Sequence, residues 1–143
     1  MDLMRGIMKE IEVKRQATLA ASKQLTLGGL IEKLRWVADK TKRVSFDVGN
    51  LHPAGLDSWR GSYAELALAY KETGTRPTVG ELLTECQAAI GETFTGYKGG
   101  EFLMSETTPI WVANYGNSGS TGLVDVVESE FGVTLKTGHC EFA

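Results

Sequence analysis

Three stretches of the chain combine aromatic, cationic and glycine residues. The first is residues 50–63, which carry Trp59, Arg60 and Tyr63 in a predicted long connection between two strands. An arginine can fork onto a phosphate or lie flat on a base, and aromatic rings stack on nucleobases. Long ordered loops in small domains are often functional. An alternative is that Trp59 fills the core and that Arg60 pairs with Asp57 or Glu65.

The second stretch is residues 94–102, where glycines stand beside Phe94, Lys98 and Phe102. Backbone N–H groups in a glycine-rich turn can form an anion-binding nest, to which a lysine adds a point charge. The GxxxxGK[ST] pattern of a P-loop is absent. A plain glycine-rich hairpin explains this stretch equally well.

The third stretch is residues 114–121, which begin with Asn114 and Tyr115 and are rich in amides and hydroxyls. Such groups read base edges and ribose hydroxyls, although the same residues also favour turns. Taken together, the three stretches predict a polar pocket of nucleotide size.

Catalytic or metal-binding constellations are harder to assemble. Cys86 and Cys140 have no CxxC spacing, and His52 and His139 do not complete a zinc site. Adjacent His139 and Cys140 make a poor base and nucleophile pair. The carboxylates available for acid–base chemistry are Asp47, Asp57, Glu65 and Glu101. We therefore predict no catalytic residue, no metal and no cofactor.

Three helices and a set of strands are expected to position these stretches. Apolar spacing predicts a helix over 2–22, and residues 1–25 are expected to be peripheral or oligomerising. A second helix has Leu30, Leu34 and Val37 on one face, with Thr26 or Gly28 near its start. A Thr78 to Glu81 capping box begins a third, with a stripe of Leu82, Leu83, Cys86 and Ile90 that ends near Gly91.

Predicted strands occupy residues 43–48, 62–70, 110–114, 123–127 and 133–136, and the first of them places Val44, Phe46 and Val48 on its buried side. We expect residues 26–143 to form one α+β domain. Its antiparallel or mixed sheet is covered by the N-terminal helices and one further helix.

Composition narrows the classes of function. The chain has 143 residues, of which 42% are hydrophobic and 23% charged, with a net charge of −3. This balance argues against a binder of DNA or RNA, because phosphate neutralisation needs clustered Lys and Arg. No signal peptide and no apolar run long enough for a membrane helix are visible. We expect a cytoplasmic protein.

Segments 57–63, 94–102 and 111–116, with Phe46 and Asp47, resemble small phage proteins of the first Thoeris anti-defence family. The resemblance covers residues 43–140 and implies a sponge that binds a cyclic ADP-ribose signal, or a cyclic oligonucleotide, without cleaving it. It implies pockets between subunits of a dimer or a trimer of dimers, in an infected bacterial host, with contacts from Arg60, Phe94 or Phe102, and Asn114.

The chain departs from that pattern in one respect: its last arginine is Arg76, so Lys98 or Lys136 would replace a pocket arginine. Two other functions stay open at this point. One is a nucleotide phosphodiesterase using Asp47, His52 and Glu101, and the other is a protein–protein inhibitor of a host factor.

Overall fold

A computed structural model describes residues 24–60, 62–96, 98–112 and 121–140. The predicted helix over 2–22, and the predicted ligand residues Asn114 and Tyr115, lie outside the described residues.

Within that part of the chain there are two helices and eight strands. The elements in order are α1 (Leu27–Trp36), β1 (Val44–Phe46), β2 (His52–Trp59), β3 (Ser62–Lys71), α2 (Val79–Ala89), β4 (Thr93–Thr95), β5 (Glu101–Leu103), β6 (Ile110–Val112), β7 (Thr121–Ser129) and β8 (Gly132–His139).

Six of the strands form a mixed sheet in the order β1-β8-β7-β6-β3-β2. The β1–β8 and β3–β6 pairs are parallel and the other pairs are antiparallel. The sheet curls until its two edge strands meet at one end, where the Phe46 N–H donates to the Leu51 carbonyl at 2.9 Å. The predicted α+β class with a mixed sheet is confirmed, and the sheet is nearly a barrel.

Both helices begin as the sequence predicts. The Thr26 side chain caps α1 by accepting from the Gly29 N–H at 3.1 Å. Thr78 and Glu81 form the complete capping box of α2. The two helices share one core with the sheet, to which α1 contributes Leu30 and Leu34.

The long loop predicted over residues 50–63 is wrong, because β2 occupies His52–Trp59. Pro53 and Gly55 disfavour a strand by propensity, but β2 is an edge strand with register shifts beside both residues. Edge positions and bulges are where a strand tolerates proline, since no ladder hydrogen bond is lost there. Only two residues, 60 and 61, separate the end of β2 from the start of β3.

Two apolar side chains are not where periodicity placed them. Val48 is 47% exposed because β1 ends at Phe46, and Ile90 is 38% exposed because α2 ends at Ala89. Gly91 follows with φ of +78°, the left-handed conformation expected after a helix. Cys86 is fully buried as predicted, and burial raises the pKa of its thiol to about 12.

A second, smaller cluster lies on the opposite face of the sheet. Trp111 points away from Ile110 and Val112 because side chains alternate along a strand. It packs there with Trp59, Ala67 and Cys140, and we call these four residues the tryptophan cluster.

Candidate functional site

The first two predicted ligand residues, Trp59 and Arg60, have different environments in the structure. Trp59 is 4% exposed and stacks on Trp111, with ring centroids 4.0 Å apart and planes inclined by 7°. This is the core position that the sequence left open for Trp59, and its ring face is used by Trp111. Arg60 is exposed in the turn that follows.

Three other predicted residues are brought together. Phe94 and Phe102 are cross-strand partners in the β4–β5 hairpin, and the Tyr63 ring meets Phe102 edge-on at 5.8 Å. Gly96 fits between these rings because an added Cβ would lie 2.9 Å from both Tyr63 and Phe102. All three rings are half-buried, and Lys98 is exposed near the hairpin tip. The pairing of β4 with β5 therefore agrees with the hairpin alternative.

A cationic cavity lies elsewhere, in the gap between the edge strands β1 and β2. We call it the seam pocket; it has a volume of about 270 Å³. The residues that matter for its chemistry are Arg43, His52, Lys71, Arg76, Glu81 and Glu85. Arg43 directly precedes β1, and the others come from the start of β2, the end of β3, the β3–α2 connection and α2.

Backbone pairing builds this pocket. The Val44 N–H donates to the Pro77 carbonyl and the Val79 N–H to the Lys42 carbonyl, each at 2.9 Å, so the β3–α2 connection runs along β1. On the other side, the Leu56 N–H of β2 donates to Glu85 Oε1 at 3.1 Å, which ties α2 to the edge of β2. The β3–α2 connection and α2 thus form the walls of the pocket beside the two edge strands.

The charged groups around the seam pocket differ in whether they already have partners within the protein. Arg43 donates to the Arg76 carbonyl at 2.8 Å and lies 3.7 Å from Glu81. Hydrogen bonds from the backbone and then the side chain of Thr78 lower the pKa of Glu81 and keep it ionised. Lys71 and Arg76 are exposed and form no ion pair among the described residues. Two cations are therefore available for an anionic ligand.

His52 adds an imidazole to the same wall. It stands opposite Lys71 in the β2–β3 register and is only 4% exposed. Its ring forms no hydrogen bond within the part of the chain that the structure describes. Because His52 lines the cavity, this imidazole can form a hydrogen bond with a group held in the pocket.

Sequence reasoning missed Arg43, Lys71 and Arg76 as a group. The available signal was the polar connection 72–77 after the predicted strand, with a cation beside each end. That signal was weak because the third cation, Arg43, joins only through the pairing of β1 with the β3–α2 connection.

Two of the carboxylates considered for catalysis accept hydrogen bonds that stabilise the fold. Asp47 accepts from the Thr137 N–H at 3.0 Å and from its hydroxyl at 2.6 Å. Glu65 accepts from Trp111 Nε1–H at 2.8 Å. Among the described residues, no three His, Cys, Asp or Glu side chains cluster as metal ligands do.

Comparison of the chain with protein-family models, curated proteins and solved structures finds no match. Neither described helix has the length and apolar character needed to cross a membrane.

Proposed function

We propose that this protein binds a cyclic nucleotide signal of the cyclic ADP-ribose type in the seam pocket and holds it without cleavage. The observation that carries the proposal is the placement of Lys71 and Arg76, with Arg43 and buried His52, around one cavity of about 270 Å³. A diphosphate presents two negative charges, and charge-assisted hydrogen bonds are the strong ones.

Sequestration without turnover is supported by how the nearby acids are used. Glu85 accepts from the β2 backbone and Glu81 from the cap of α2, so both acids already serve the fold. General base catalysis requires a group within hydrogen-bond reach of the proton it removes. Such a protein would lower the free concentration of an antiviral signal in an infected bacterium.

Recovery of the ligand tests the proposal. The protein is incubated with cyclic ADP-ribose, desalted and heat-denatured, and the released small molecules are identified by mass spectrometry. We expect up to one equivalent of intact ligand per pocket. The double variant Lys71→Ala, Arg76→Ala should retain far less, while Arg35→Ala, which removes an exposed cation of α1, should retain as much as wild type.

Two results would overturn the proposal. Linear ADP-ribose accumulating beyond one equivalent would show turnover by hydrolysis of the N-glycosidic bond, whereas a product opened at the diphosphate would favour a phosphodiesterase-type enzyme that uses His52. Absence of retained ligand from the wild-type protein would show that cyclic ADP-ribose is not held.

A further inference from the structure

A second cavity, which shares no residue with the seam pocket, lies at one end of the curled sheet. We call it the barrel-mouth pocket; its volume is about 220 Å³. It is lined by Phe46, Leu51, Tyr70, Val112, Thr121 and Thr137, so β1, β3, β6, β7 and β8 each supply a side chain and Leu51 directly precedes β2. The mouths of barrels are frequent ligand sites, because convergent strand ends make a concave surface.

The wall of the barrel-mouth pocket is mainly apolar and aromatic, with hydroxyls from Thr121, Thr137 and Tyr70. Phe46 and Val112 are 4% and 9% exposed, and Leu51 and Tyr70 are half-buried. None of the described residues that line it is Lys, Arg, His, Asp or Glu. A charged ligand would lose its hydration here without gaining a counter-charge, so the lining favours a neutral occupant.

Thr137 limits the ligand further. Its hydroxyl donates its only proton to Asp47 Oδ1 at 2.6 Å, and its N–H donates to Oδ2 at 3.0 Å. A hydroxyl whose proton is used in this way can only accept from a ligand. At Thr137 the occupant must therefore bring a hydrogen-bond donor, and an N–H on a largely apolar ring meets this need.

We propose that the barrel-mouth pocket binds a neutral, flat aromatic heterocycle with an N–H donor, of the size of indole or a purine base. Aromatic walls suit a flat ring, and Thr137 accepts from its N–H. This site is separate from the proposed nucleotide function. Tyr70 and Lys71 are adjacent in β3 and project to opposite faces, so the two pockets lie on different sides of that strand.

The test is a titration of the ¹⁵N-labelled protein with indole, followed by amide chemical shifts, and a matched titration with 1-methylindole, which lacks the N–H. We expect saturable shifts centred on Leu51, Tyr70 and Thr137. Indole should bind roughly three- to tenfold more tightly than 1-methylindole, the value of one hydrogen bond. Thr137→Val should remove that difference and Thr137→Ser should restore it.

A second pair of variants, one that fills the pocket and one control, tests the site without changing Thr137. Thr121 and Thr93 are both exposed strand residues, and of the two only Thr121 lines the pocket. Thr121→Trp should abolish the indole shifts, whereas Thr93→Trp should leave them intact. Absence of saturable shifts, equal binding of the two indoles, or binding that survives Thr121→Trp would each overturn the proposal.

Discussion

The stack of Trp59 on Trp111 joins the end of β2 to the centre of the sheet. Both rings are almost fully buried, and the Trp111 indole N–H is satisfied by Glu65. Aromatic pairs of this kind contribute beyond the area they bury. Trp59 is therefore a structural residue in this account, although its sequence context, next to Arg60 and a glycine, suggests a ligand contact.

Trp59→Ala is expected to destabilise the fold by about 3–5 kcal/mol, because it opens a large cavity in the tryptophan cluster. Urea unfolding followed by circular dichroism measures this, with Trp59→Phe as a milder control. A small loss of stability together with a loss of cyclic ADP-ribose binding would instead indicate that Trp59 contacts the ligand.

At the scale of elements, α2 is the wall that the seam pocket shares with the core. Its first turn carries both the capping box and Glu81, one of the acids that face the pocket. Thr78→Ala should cost about 1 kcal/mol, because the Glu81 N–H loses the hydroxyl that accepts from it at 3.1 Å. Thermal melting gives the value, and Thr84→Ala, in the interior of the same helix, is the control. Equal losses of stability in the two variants would show that the Thr78 cap contributes no more than a threonine in the helix interior.

The Glu81 carboxylate also gives α2 a pH dependence. Its folded pKa is lowered from 4.5, chiefly by its hydrogen bonds with Thr78, so its contribution is complete above about pH 4.5 and is lost as the pH falls through the folded value. Glu81→Gln should therefore flatten the acid side of the stability curve. Unfolding measured from pH 6 to pH 3 tests this, and parallel curves for both proteins would contradict it.

Local signals explain which elements the sequence predicts well. Thr26, the Thr78 to Glu81 box and the alternation of Val44 and Phe46 are each complete within a few residues, and the structure confirms them. Strand β2 carries no such signal, because Pro53 and Gly55 contradict it locally. Its pairing with β3 and its contact with Glu85 stabilise it, and both are tertiary contacts.

The candidate site is also hard to predict from the sequence, because tertiary contacts bring its residues together. Arg43 and Arg76 are 33 residues apart in the chain and meet through a side chain to backbone bond of 2.8 Å. Composition and spacing favoured Arg60 and Lys98, since each stands beside aromatics and glycines. Nothing local in the sequence marks the gap between β1 and β2 as a cavity.

On the scale of the whole molecule, both pockets are open to solvent in a single chain. Ligand sites usually bury most of a ligand's surface, and 270 Å³ is small for cyclic ADP-ribose. Exposed apolar side chains are available for a subunit contact, among them Trp36 at 79% and Phe131 at 93%. A second copy would enclose the ligand more completely, as in a dimer or a trimer of dimers.

Light scattering at micromolar concentration, with cyclic ADP-ribose present, should therefore give at least twice the 15.5 kDa of one chain. Phe131→Ser should lower that mass if Phe131 lies in the contact. A monomer mass for the liganded wild-type protein would contradict the prediction.

Calorimetric titration of cyclic ADP-ribose into wild type, Arg76→Ala and Arg60→Ala tests the placement of the ligand most directly. The two variants each remove one exposed arginine, and only Arg76 lines the seam pocket. Loss of a charge-assisted hydrogen bond should weaken binding to Arg76→Ala by roughly ten- to a hundredfold, while Arg60→Ala stays within about twofold of wild type. Binding that is lost in Arg60→Ala and kept in Arg76→Ala would contradict the account and place the ligand at the β2–β3 turn.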